Sequence, residues 1–77
     1  MKTFIMIRTN DETGISGTGK VLEGAQFSNG QVVVRWISDN SATNIYKNYD
    51  SFVNIHILSH PTNGTKIIWC DGNIMEY

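Results

Sequence analysis

The sequence predicts an all-β fold, a small antiparallel barrel of six short strands forming a single domain over residues 1–77. Three observations carry that reading. Apolar residues recur with a period of two, not 3.6, along almost the whole chain. Turn-forming clusters, Ser28-Asn29-Gly30 and Pro61-Thr62-Asn63-Gly64, punctuate the apolar runs at short intervals. Only residues 46–58 offer a helix-length stretch free of breakers.

Each element has its own warrant. Residues 2–8 (KTFIMIR) are rich in β-formers. Residues 20–27 (KVLEGAQF) and 31–37 (QVVVRWI) flank Asn29-Gly30, the strongest short hairpin signal. Two registers are open there. A three-residue loop with Gly30 left-handed sets Glu23 opposite Arg35 as a cross-strand ion pair, the favoured arrangement. A two-residue turn shifts the pairing by one, setting Glu23 against Trp36 and Arg35 against Gly24. Residues 44–47 (NIYK) form a short strand. In 53–58 (VNIHIL), Val53, Ile55 and Ile57 share one strand face, after a single 3₁₀ turn near 49–52. A helix over 46–58 is the weaker alternative, because three β-branched residues and three Asn or Asp count against it. Residues 65–70 (TKIIWC) complete the six, and closure hides the sheet edges.

A chain of 77 residues buries only about 60–65% of its unfolded surface, so its core needs support. One cysteine, Cys70, excludes an intramolecular disulfide and is expected as a small buried apolar residue. His56 and His60 lie about 13 Å apart along a strand and lack a fourth ligand, so no metal is expected. Homo-oligomerisation is the expected supplement. Six basic against seven acidic residues, with no basic run, disfavour generic nucleic-acid binding. The apolar run Phe4-Ile5-Met6-Ile7 is too short for an export signal, and nothing approaches membrane-spanning length. With a free thiol, this predicts a cytoplasmic protein.

Gly14-Ile15-Ser16-Gly17-Thr18-Gly19-Lys20 fills seven places of the phosphate loop G-x-x-x-x-G-K-[ST], where backbone N–H groups wrap phosphates. Val21 stands where the magnesium-binding hydroxyl belongs, and a strand follows where a helix should donate its N-terminus. Nucleotide hydrolysis is therefore not expected. The loop is read as a positive-φ entry to a bent strand. Its amides, with Ser16, Thr18 and Lys20, are also candidates to cradle an anion without metal. Arg35 joins them as a candidate ligand. Trp36 and Trp69 are expected to fill the core, leaving Tyr46 and Tyr49 as more exposed candidate contacts. Ser41, His56 and Asp39 share no spacing that makes a catalytic set. No enzyme, catalytic residue or cofactor is expected.

The run Ser16-Gly17-Thr18-Gly19, Val21, Glu23-Gly24, Phe27, Gly30, Val32-Val33 and Arg35-Trp36 resembles a family of short hypothetical proteins of actinobacteria and their phages. Their pattern reads SGTG-x-V-x-EG-x-x-F-x-[DN]G-x-VV-x-RW. The likeness continues through Asp50-Ser51, His60 and Gly64-Thr65-Lys66-Ile67-Ile68-Trp69. Leu58 stands where the family carries a second histidine. The resemblance implies an SH3-like barrel and a phage-linked origin.

Two functions follow as expectations. The first is a non-catalytic binder that captures a small anionic, nucleotide-like ligand or blocks a host protein, in an anti-defence role. The second is a nucleic-acid or peptide adaptor, or a structural subunit of a larger assembly.

Overall fold

The computed structural model describes residues 1–9, 18–37, 42–59 and 64–77. Their elements run β1 (Lys2–Arg8), β2 (Gly19–Gln26), β3 (Val32–Trp36), β4 (Thr43–Tyr46), α1 (Tyr49–His56), β5 (Thr65–Trp69) and β6 (Ile74–Glu76). All six strands form one antiparallel sheet in the order β4-β3-β2-β1-β5-β6, as an all-β fold requires. The end strands β4 and β6 each pair with one neighbour.

The hairpin between β2 and β3 adopts the three-residue register. Glu23 faces Arg35, and Gly24 faces Val34. Gly30 sits at φ 90°, the amide of Phe27 donates to the Gln31 carbonyl, and Asn29 Oδ1 accepts from the Gln31 amide. Position 30 needs a positive φ, and glycine supplies it without a Cβ clash.

Two expectations are corrected. Residues 53–58 are not a strand and 49–52 are not an isolated 3₁₀ turn; Tyr49–His56 is an α-helix. Its start is fixed by Asn48, whose side chain accepts from the Ser51 amide at 2.8 Å. The spacing that decides the segment is Phe52, Val53 and Ile57, all buried, while Ile55 is 54% exposed. A strand would put Ile55 beside Val53; the helix puts Ile57 there. The sixth strand instead comes from Ile74–Glu76.

Alternation along the strands sends Phe4, Met6, Leu22, Val32, Val34 and Ile67 to one face, where they join Phe52, Val53 and Ile57 of the helix segment in the core. The sheet register slips between Met6 and Ile7, so Lys20 pairs with Ile7 while Leu22 pairs with Met6. Val21 is the extra residue of this bulge and is buried as well. The opposite face carries Ile5, Ile7, Val33 and Ile68, half-buried, among charged side chains.

Candidate functional site

Strand ends gather what the sequence scatters. β1 and β3 finish, and β2 and β5 begin, at one end of the sheet, so Arg8, Lys20, Arg35 and Lys66 come from neighbouring strands at that end. These are four of the six basic residues. Lys20 and Lys66 both pair with Ile7 and flank it across the outer face, about 9–10 Å apart at the backbone. Glu23 lies between Lys20 and Arg35: one oxygen is 3.3 Å from Arg35 Nη1, the other 3.7 Å from Lys20 Nζ. Lys66 pairs with Glu76 at 3.4 Å. The paired groups are half exposed or more, so the pairs contribute at most about 1 kcal/mol each to stability.

Two shallow grooves meet at Glu23. One, of about 430 Å³, includes Thr3, Ile5, Gly24, Ile68 and Cys70 in its wall. The other, of about 300 Å³, includes Gly24, Ala25, Val33, Arg35 and Thr43. The small residues Gly24 and Ala25 form the trough. Cys70 is exposed on this face, correcting the expectation that it is buried. It follows Trp69, whose side chain packs against the core, so alternation turns the thiol outward. Hydrogen bonds from Thr3 to the sulfur hold its pKa below the ordinary thiol value.

The inner face at the same end is polar and tightly connected. Arg8 is only 4% exposed. Its Nη2 donates to the His56 carbonyl at 2.9 Å, and its guanidinium lies 5.6 Å from the Trp36 ring centroid, a cation–π distance. Trp36 Nε1 donates to Asn44 Oδ1 at 3.1 Å, and its ring meets His56 edge-on. Tyr46 Oη and His56 Nε2 share a short hydrogen bond. Thr65, opposite Arg8 in the sheet, is buried, and its hydroxyl has no hydrogen-bond partner among the described residues.

The expected ligand residues thus fall in two places. Lys20 and Arg35 meet through Glu23 on the outer face. Thr18 is exposed at the approach to β2, and Ser16 lies outside the described residues. Tyr46 and Tyr49 are half-buried against the core, contrary to the expectation that they stand on the surface. Tyr49 packs on Phe4 and Trp69 and bonds Tyr77 through the hydroxyls at 3.0 Å. Burial raises the pKa of both tyrosines, with the Tyr77 hydrogen bond adding to the effect at Tyr49. Gly19 at φ 77° and the continuous strand after it bear out the positive-φ entry read for the glycine loop; Gly14 and Gly17 lie outside the described residues. The sequence offers no ligand signal for Arg8, Thr65 or Lys66, and brings His56 into view only for a metal or a catalytic set. The period-two placement of Arg8 after Phe4 and Met6 is the signal for its inward face.

Among the described residues no helix is long and apolar enough to cross a membrane. No curated protein and no solved structure matches the chain. A family model described as "Acb5 phage protein" matches residues 1–71, spanning everything from β1 through β5, in keeping with the phage resemblance of the glycine-loop and hairpin motifs. The chain belongs to the Acb5 phage protein family.

Proposed function

We propose that this phage protein counters its host by capturing a small anionic, nucleotide-like ligand at the basic end of its sheet. The observation that supports the reading is the convergence of Lys20, Arg35 and Lys66 on the outer face at one end of the sheet, with Lys20 and Arg35 meeting at Glu23. Cations on adjacent strands suit a compact anion, and the trough over Gly24 and Ala25 beside them suits a flat base. Occupancy is the mode of action, with the ligand held intact. Pairing of copies, the support expected for a core of this size, belongs to the same proposal; native mass spectrometry would read it as a multiple of the 8.7 kDa chain.

The test is thermal stabilisation by nucleoside phosphates and pyrophosphate, followed by calorimetry on whichever binds. Ligand at 100 times its Kd adds about 2.7 kcal/mol. The Lys20→Ala and Arg35→Ala variants should abolish that gain. Heat-released ligand should be recovered unchanged. No stabilisation by any member of the panel, insensitivity to both substitutions, or recovery of a converted ligand would each overturn capture.

A further inference from the structure

Glu23 is out of place in a site that does nothing but hold an anion. It stands at the centre of the cationic pair, 3.3 Å from Arg35 and 3.7 Å from Lys20, and it belongs to both grooves of the outer face. A carboxylate there repels a bare phosphate and neutralises one of the two neighbouring charges. Each of its oxygens is engaged by one cation, yet a carboxylate offers about four lone-pair directions in all. Two remain, and an ionised carboxylate can only accept. Their neighbourhood is the trough over Gly24 and Ala25, where a flat group can approach the sheet.

We infer that Glu23 is a specificity-determining acceptor, selecting anions that also carry a pair of adjacent N–H or O–H donors. This rests on the capture reading and names its ligand class. The cation–carboxylate–cation order on the sheet matches a ligand whose phosphate meets Lys20 or Arg35 while its donor pair meets Glu23. Two parts of a nucleotide supply such a pair: the N1–H and amino group of guanine, and the vicinal hydroxyls of ribose. A donor-poor anion leaves the carboxylate facing like charge and forgoes the charge-assisted hydrogen bonds that a donor pair would add.

The experiment is calorimetry of the full chain and of Glu23→Gln with GMP, IMP, 2′-deoxy-GMP and inorganic pyrophosphate. GMP should bind the native protein at least about 10-fold more tightly than one of its two donor-deleted analogues. Loss with IMP assigns the base edge, and loss with 2′-deoxy-GMP assigns the ribose. Glu23→Gln should weaken GMP by about 10-fold and tighten pyrophosphate, because the repelling charge is gone. That opposite movement is what a merely structural glutamate would not produce. Equal affinity of native protein for all three nucleotides, or parallel loss of GMP and pyrophosphate in Glu23→Gln, overturns the role of Glu23 while leaving capture standing. Absence of all binding, or binding indifferent to Lys20→Ala and Arg35→Ala, overturns the capture reading itself.

Discussion

Phe4 occupies with its ring the space that a β-carbon on Gly24 would need. The two residues are register partners on β1 and β2, and an added Cβ would lie 2.6 and 2.7 Å from Phe4 Cε2 and Cε1. The ring cannot retreat easily, because Phe52, Tyr49 and Trp69 enclose it. Gly24→Ala should therefore cost about 2 kcal/mol through overpacking. Urea denaturation would show it as a lower midpoint at unchanged slope. Adding Phe4→Leu should recover part of the loss, a non-additivity that marks direct contact.

Gly30 and Gly72 answer to a different constraint. Both have φ near 90°, and a β-carbon at either would meet nothing within 4 Å. Gly30→Ala and Gly72→Ala should each lose about 1 kcal/mol from backbone conformation alone. No second substitution nearby should repair that loss, in contrast to Gly24. The same denaturation curves distinguish the cases.

The ion pairs around Glu23 separate stability from binding. Arg35→Ala removes a half-exposed contact and should change the unfolding free energy by no more than about 1 kcal/mol. Its effect on ligand-induced stabilisation should be complete. The variant's melting curve should shift little without ligand and should not rise when GMP is added. A large loss of stability without ligand would mean that Arg35 chiefly supports the sheet.

Alkaline pH should unfold the protein. Tyr46 and Tyr49 have folded pKa values raised by burial above the ordinary 10.0. The neutral phenol is thus favoured in the fold, and the unfolded chain releases its protons first. Their contribution to stability is fully present below pH 10.0 and is lost as pH rises beyond it toward the folded values. Circular dichroism during base titration should show cooperative loss of structure accompanied by phenolate absorbance. Tyr49→Phe should flatten the decline; the same alkaline slope in that variant would assign the effect elsewhere.

Much of this architecture is legible in the sequence, and the parts that are not have physical reasons. Asn29-Gly30 between apolar runs announced a hairpin, and its register followed from a three-residue loop that leaves Glu23 against Arg35. Asp71-Gly72 carries the same message in a loop of the same length. The amide of Trp69 donates to the Asn73 carbonyl as Phe27 does to Gln31, and the Asp71 carboxylate accepts from the Asn73 amide as Asn29 does from Gln31. The strand that follows has three residues, all exposed, so no alternation betrays it. The helix was hidden for the opposite reason. Val53, Ile55 and Ile57 alternate like a strand, and only the Asn48 cap and the burial of Phe52 beside Val53 favour a turn of 3.6. The basic end could not be read from composition, because Arg8, Lys20, Arg35 and Lys66 become neighbours only through strand pairing.

The placement of β1 has a consequence for biosynthesis. Phe4 has Gly24 on one side and Trp69 on the other. β1 thus waits for β5, made about sixty residues later, before its packing is complete. The emerging polypeptide must carry Phe4 and Met6 incompletely covered until β5 has been made, so the packing around β1 should follow the synthesis of β5. A ribosome stalled before Trp69 should display a protease-sensitive nascent chain.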